Sequence, residues 1–150
     1  MTCKHKEPVV TTLLKEDDEY LRMQLSLALY KPRQEVVTFI TSAYNSHEYD
    51  WRQSDGCTAV SEVHFPAGYR FPPCVAHDYY CWLSRRAPSK AEADRIRAEG
   101  DRLFRLANMD YGVSGLRSCL RYAGVRLAYY AWYRWFIKGD GRSRCGGCGT

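Results

Sequence analysis

The sequence predicts a mostly α-helical protein, and three observations support this fold class. Apolar residues recur at spacings of three and four along much of the chain. Two helix-start signals, Pro72-Pro73 and Pro88-Ser89, each stand before such a run. A chain of 150 residues with 45% hydrophobic side chains can bury a core as one domain. We therefore expect a single domain over 1–150, built on an antiparallel pair of helices at about 74–86 and 89–109.

Further helices are expected on both sides of this pair. The acidic residues 16–18 can start an N-terminal helix, because carboxylates suit a first turn. Residues 34–44 predict a short amphipathic helix, although their β-branched side chains leave a strand possible. Gly112 is expected to end the second paired helix, and a long last helix should follow from Val113 to about Lys138. Glycines are predicted weak points in these last two helices: Gly100, Gly115 and Gly124.

Other segments lack a regular helical pattern. Residues 45–56 are polar and rich in turn formers, which predicts a loop. Residues 61–69 are typical of a short strand or an extended stretch. We expect residues 1–15 and 139–150 to be flexible tails unless they are bound to a partner, because the first is a polar lead and the second has little apolar content.

The charge pattern favours an anionic partner. Lys and Arg outnumber Asp and Glu by 22 to 17, and from Arg102 to Arg144 nine basic residues face two aspartates. Residues 122–138 interleave aromatic and basic side chains, which suits core and protein contacts first and a lipid interface second. No nucleic-acid motif accompanies the basic residues, so nucleic acid is not expected as a partner.

The sequence does not decide the cellular compartment of the protein. No apolar run is long enough to cross a bilayer, and the chain has no secretory signal. Seven cysteines are many for a cytosolic protein of this length. We therefore expect a secreted protein whose signal was removed, or a protein packaged in a virus particle.

The first paired helix begins with a candidate catalytic pair, His77 and Asp78. On the second paired helix, Asp94, Arg97 and Asp101 share one stripe by their three- and four-residue spacings. If the helices pack antiparallel, an aspartate of that stripe can reach the imidazole and stabilise its protonated form, as an orienting acid does beside a general base. A His-Asp pair at a helix start is, by itself, more often a satisfied structural pair.

A series of short motifs gives this pair a context. In chain order they are Trp51, Ser54-Asp-Gly-Cys57, Pro66-x-Gly-Tyr-x-Phe71, Cys74 and His77-Asp-Tyr79. In this order and at nearly these spacings, the motifs resemble those of the secreted phospholipases A2 of bacterial and fungal type, over Trp51 to about Ala107. The resemblance implies a phospholipase A2-like helical fold, with a calcium-loop-like segment before the first paired helix.

The resemblance also implies calcium-dependent hydrolysis of glycerophospholipid esters at a membrane surface. Hard oxygen donors would hold the Ca²⁺ ion. They would be Asp55, the Gly56 carbonyl and Asp78. His77 would take a proton from water as it attacks the ester, and the ion would stabilise the oxyanion. Cys57 and Cys74 match the family's disulfide cysteines, and their bond would tie the calcium loop to the catalytic helix.

The orienting aspartate departs from the family pattern. The family has it in Arg-Ile-Asp-x-x-Phe, whereas here Arg95-Ile96 is followed by Arg97. The later segment Asp101-x-x-Phe104 keeps the second half of the pattern after a small insertion. We therefore expect Asp101 to orient His77, with Asp94 in reserve, and Arg97 at the family position puts efficient catalysis in question.

A second set of motifs reaches further along the chain. Residues 66–69, 77–79, 101–107 and 112–113 read Pro-Ala-Gly-Tyr, His-Asp-Tyr, Asp-x-x-Phe-x-x-Ala and Gly-Val. They resemble an uncharacterised family of phages and bacteria, with Gly100 in place of an alanine. This likeness brings no known activity. It favours a rival hypothesis, in which the chain is a virion component or other virus-borne structural or interaction protein, with virion proteins as partners and weak or no hydrolase activity.

The remaining cysteines suggest other roles. Cys145-Gly-Gly-Cys148 has the spacing of a zinc knuckle, and Cys3 and His5 can supply two more ligands. A second, well-spaced pair is missing, so zinc is not expected as a cofactor, and a tail disulfide or thiols are expected instead. Cys81 and Cys119 are expected to pack as small buried hydrophobes.

Overall fold

The computed structural model describes residues 9–54 and 69–140, with side chains over 18–54 and 69–131. These ranges contain helices and no strand, which confirms the mostly α prediction, while residues 61–68 of the predicted extended stretch lie outside them. The helices are α1 Val9–Tyr30, α2 Gln34–Tyr44, α3 Pro72–Arg86, α4 Lys90–Asp110 and α5 Gly115–Asp140, with a 3₁₀ turn at Trp51–Gln53. None of them has both the length and the apolar content that a membrane span needs.

Both terminal helices depart from the predicted bounds: α1 starts earlier than predicted, and α5, at Gly115–Asp140, has about the predicted length but lies two residues later in the chain. Helix α1 begins at Val9, so the acidic residues 16–18 lie inside the helix and not in its first turn. Helix α5 continues through Gly139 to Asp140. The predicted tails therefore overlap helical residues at 9–15 and 139–140, and their other residues lie outside the described ranges.

Helix ends follow the predicted signals. Lys31 has a left-handed backbone, with φ of 46°, where α1 ends before Pro32. Gly112, with φ of 82°, ends α4 as expected, since glycine has no Cβ to oppose that conformation. The Ser89 hydroxyl accepts a hydrogen bond from the Glu92 amide at 3.2 Å, as an N-cap does. Helix boundaries in this part of the chain were thus readable from local residues.

Helices α3 and α4 form the predicted antiparallel pair. Tyr80 lies against Gly100, His77 against Asp101, and Cys81 against Arg97. Residue numbers rise along α3 as they fall along α4 in these contacts, which is the pattern of antiparallel neighbours. The buried core beneath the pair draws apolar side chains from α1 to α4: Met23, Val36, Phe39, Ile40, Ala43, Val75, Ala76, Phe104 and Ala107.

Gly100 allows the close approach of α3 and α4. A Cβ atom built on Gly100 would lie 2.6 Å from Tyr80 Cβ, closer than carbon atoms pack. At Gly124, on α5, a Cβ would meet nothing within 4 Å. The sequence interpretation of Gly100 as a weak point was therefore incomplete, because the missing side chain sets the spacing of the central pair.

Replacing these two glycines by alanine should have opposite effects. Gly100→Ala should lower the free energy of unfolding by about 1–3 kcal/mol, because the methyl group overpacks the contact with Tyr80. Gly124→Ala should raise it by up to about 1 kcal/mol through helix propensity. Urea unfolding of the two variants checks this, and equal effects at both positions would mean that α3 and α4 can separate without cost.

Tyr111 fastens α1 to the end of α4. Its side chain is buried, stacks on Tyr30 with ring centroids 4.7 Å apart, and shares a 2.8 Å hydrogen bond with the Ser26 hydroxyl. Phe71, just before α3, packs edge-on against the same ring. Burial raises the pKa of Tyr111 to about 12.

This shift predicts an alkaline loss of stability. An unfolded tyrosine has an ordinary pKa of 10.0, so the stabilisation from neutral Tyr111 is fully present below that pH and is lost as the pH rises towards 12. The free energy of unfolding should therefore fall more steeply between about pH 10 and 12 for the natural chain than for Tyr111→Phe. Parallel pH slopes for the two proteins would contradict the assignment of this titration to Tyr111.

Candidate functional site

His77 and Asp101 form a buried pair at the centre of α3 and α4. His77 Nε2 and Asp101 Oδ1 are 2.7 Å apart, and the two residues are 8% and 0% exposed. The imidazole also packs on Phe104. With Asp101 ionised, Nε2 carries the hydrogen and Nδ1 keeps its lone pair. Asp101 is thus the aspartate of the α4 stripe that contacts His77, and its catalytic role stays a prediction.

Asp94, the reserve candidate, lies elsewhere on α4. It accepts hydrogen bonds from Lys90 Nζ and from the Tyr129 hydroxyl, each at 2.6 Å. These two bonds, that from Lys90 above all, lower the pKa of its carboxyl group. The contact with Tyr129 makes Asp94 part of the packing between α4 and α5.

Two arginines share the carboxylate of Asp101 with His77. Arg97 Nε lies 3.4 Å from Oδ1, and Arg126 Nη1 donates to Oδ2 at 3.2 Å. Burial lowers the pKa of Arg126, but the hydrogen bond and charge of Asp101 outweigh it, so that this pKa is raised overall. Arg97, at the position of the family aspartate, therefore joins the pair without displacing His77 from Asp101. Its positive charge opposes a second positive charge on the imidazole.

Cys81 completes a ring of polar contacts. It lies one helical turn after His77, and its sulfur is 3.9 Å from His77 Nδ1. Arg97 Nη1 donates a hydrogen bond to the same sulfur. The expectation that Cys81 packs as a plain hydrophobe was therefore wrong, although the residue is buried and a thiol. Cys119 is exposed on α5, so its expected burial was wrong, whereas the expected burial of Cys81 is confirmed.

Asp78 lies beside the start of the predicted calcium loop. The Ser54 hydroxyl donates to Asp78 Oδ2 at 2.5 Å. Ser54 directly precedes Asp55 and Gly56, which lie outside the described residues. This hydrogen bond places Ser54, the residue before the predicted calcium loop, next to Asp78. Of the three predicted calcium ligands, Asp78 is the one that lies within the described residues.

The predicted disulfide also involves that segment. Cys74 is disulfide-bonded, and no disulfide joins two cysteines of the described residues. The pairing of Cys74 with Cys57 stays a prediction.

Arg70 links the residues that follow the segment 55–68 to the residues that precede it. Its guanidinium donates to the carbonyls of Ser54 and Arg52, each at 2.7 Å. It also pairs with the buried Glu19 carboxylate at 2.7 Å, and the Arg70 amide bonds the same carboxylate. Sequence reasoning missed this residue because it stands at the unspecified position of the motif Pro-x-Gly-Tyr-x-Phe.

Removing this guanidinium should destabilise the chain. Arg70→Met should lower the free energy of unfolding by about 1–3 kcal/mol, because Glu19 stays buried without its ion pair. Arg52→Met is the matched control, since its exposed ion pair with Asp50 should contribute less than about 0.5 kcal/mol. Chemical denaturation measures both, and similar losses would mean that Arg70 acts as an ordinary surface residue.

Comparisons with known proteins gave no relative from which to assign this site. No protein-family profile, curated protein or solved structure matches the chain.

Proposed function

We propose that the chain is a calcium-dependent, phospholipase A2-like hydrolase of glycerophospholipid esters. The observation that carries this proposal is the buried 2.7 Å contact of His77 Nε2 with Asp101. It fixes the tautomer in which Nδ1 can accept a proton. The pair lies one residue from Asp78, the proposed calcium ligand, so base and metal ligand share the first turns of α3.

The proton step would use His77 as general base. Nδ1 takes a proton from the attacking water, while Asp101 stabilises the imidazolium that forms. Arg97 and Arg126 weaken this stabilisation, since both place positive charge on the same carboxylate. Nδ1 faces Cys81 Sγ across 3.9 Å, so the water has to enter beside the thiol. We therefore expect slow hydrolysis.

The calcium site would combine Asp78 with Asp55 and the Gly56 carbonyl. These are all hard oxygen donors, which suits Ca²⁺. The Ser54–Asp78 hydrogen bond supports this grouping, because consecutive Cα atoms are only about 3.8 Å apart and Asp55 follows Ser54. The bound ion would supply Lewis-acid stabilisation of the ester oxyanion.

The proposed substrate surface is a phospholipid membrane, and the proposed location is secreted or virion-associated. The basic excess of the chain, 22 Lys and Arg against 17 Asp and Glu, supports attraction to anionic lipid. The four tyrosines and tryptophans of α5 between 129 and 133 supply aromatic groups of the kind found at lipid interfaces.

A rival function is favoured by exposed leucines. On α1 they recur every four residues, and on α5 they recur at spacings of four and seven, so each set lies along one face of its helix. They are Leu21, Leu25 and Leu29 on α1, and Leu116, Leu120 and Leu127 on α5. Apolar stripes on a helix surface suit protein contacts. They favour an interaction protein, such as a virion component, that uses the same helical scaffold with weak or no hydrolysis.

One assay separates the two functions. We expect fatty-acid release from phosphatidylcholine vesicles in the presence of calcium, and its loss with a chelator. His77→Ala and Asp101→Asn should each reduce the rate by about 10²-fold or more, because the base or its orienting charge is lost. Asp94→Asn is the matched control and should retain activity, since Asp94 bonds Lys90 and Tyr129 and not His77.

The opposite result would favour the rival. Folding of each variant is checked by circular dichroism before the rates are compared. If the folded natural protein releases no fatty acid with calcium, the hydrolase proposal fails. If Asp94→Asn and Asp101→Asn lose the same activity, the assigned role of Asp101 fails although the activity stands.

A further inference from the structure

We propose that His77, Asp78 and Cys81 bind a thiophilic divalent cation, with Zn²⁺ as the expected ion. The sequence did not predict this site, which shares Asp78 with the proposed calcium site but uses neither Asp55 and Gly56 nor Cys145-Gly-Gly-Cys148. All three ligands come from one stretch of α3, at positions i, i+1 and i+4. Within the described residues, their ligand atoms lie within 4.8 Å of one another.

The distance between two of the three ligand atoms is close to that in a tetrahedral zinc site. His77 Nδ1 and Cys81 Sγ are 3.9 Å apart. Zinc bonds of about 2.0 Å to nitrogen and 2.3 Å to sulfur, at a tetrahedral angle, require about 3.5 Å between the two ligand atoms. Small rotations of the His77 and Cys81 side chains would shorten the distance from 3.9 Å to about 3.5 Å, and the backbone of α3 would not have to move.

The groups around the cluster suit a bound metal. A metal-bound histidine commonly donates its other ring hydrogen to a carboxylate, and here Asp101 accepts that bond from His77. This leaves Nδ1 as the ligand nitrogen. Arg97 donates to Cys81 Sγ, and such a bond stabilises negative charge on a thiolate ligand. Asp101 is itself held by Arg126, so the supporting groups are fixed on two helices, α4 and α5, beside the ligands on α3.

The donor set selects the ion. One nitrogen, one sulfur and one carboxylate oxygen suit Zn²⁺, whereas Ca²⁺ and Mg²⁺ prefer oxygen ligands alone. Three protein ligands leave a fourth position for water or another small ligand. Asp78 and a Cys81 thiolate together balance the charge of a divalent ion.

Zinc binding would have a consequence for the proposed hydrolase. The same Nδ1 atom would serve as metal ligand and as general base, so a bound Zn²⁺ would block proton transfer. This inhibition rests on the proposed function, but the metal site does not. A protein that binds zinc, and that hydrolyses no lipid even when it is zinc-free and supplied with calcium, would refute the hydrolase and leave the site intact.

Cobalt titration of the full chain tests the site. Co²⁺ replaces Zn²⁺ at such sites, and a thiolate ligand gives it a charge-transfer absorption band. We expect the band in the natural protein, its loss in Cys81→Ser, and its retention in Cys119→Ser, whose exposed thiol lies on α5. The double variant Cys145→Ser/Cys148→Ser should also keep the band. Asp101→Asn should weaken Zn²⁺ binding by about 10- to 100-fold through its bond to His77.

Other results would overturn the site. A band lost in the tail double variant but kept in Cys81→Ser would assign the metal to the tail. A band absent from the natural protein would refute thiolate coordination altogether. If Cys81→Ser fails to fold, alkylation of the natural protein decides: Zn²⁺ should slow modification of Cys81 but not of Cys119, and equal rates with and without Zn²⁺ at Cys81 would refute the proposal.

Discussion

The carboxylate of Asp101 is the interaction on which the centre of the structure depends. It is fully buried, and an ionised group at such depth is stable only with compensating partners. His77 from α3, Arg97 from α4 and Arg126 from α5 supply them. Three helices thus meet at one charge. The bond from Arg126 joins α5 to α4, and the bond with His77 fixes the orientation of the imidazole.

The fold was largely predictable because its signals are local. Pro72-Pro73 at the start of α3, Ser89 before α4 and Gly112 after it each act within one turn of a helix. The start of α1 was misplaced, since acidic residues also occur inside helices. The site was predictable in part: the spacing of Asp101 on α4 predicted its meeting with His77. Asp94 and Arg97 lie on the same stripe of α4 as Asp101. The sequence alone does not show which of the three side chains contacts His77, because this depends on how α3 and α4 pack.

The remaining site groups depend on contacts between distant parts of the chain. Nothing near Arg70 in the sequence indicates that it bonds the Ser54 carbonyl and the buried Glu19. Cys81 was interpreted as a packing residue because a lone cysteine has no pattern of its own. Its relation to Arg97 appears only when α3 and α4 are side by side. Polar groups that act through tertiary contacts are therefore the part of a site that periodicity does not reveal.

The close contact of Gly100 with Tyr80 has a consequence for recognising related chains. The two helices approach here because one residue has no side chain, and Asp101 is its immediate neighbour. Positions 80 and 100 should therefore covary: a homologue with alanine at 100 should carry a smaller residue at 80 or a wider helix spacing. In the latter case the aspartate would be too far away to bond the histidine. The residues at positions 80 and 100, taken together, can thus mark which homologues keep the histidine–aspartate pair.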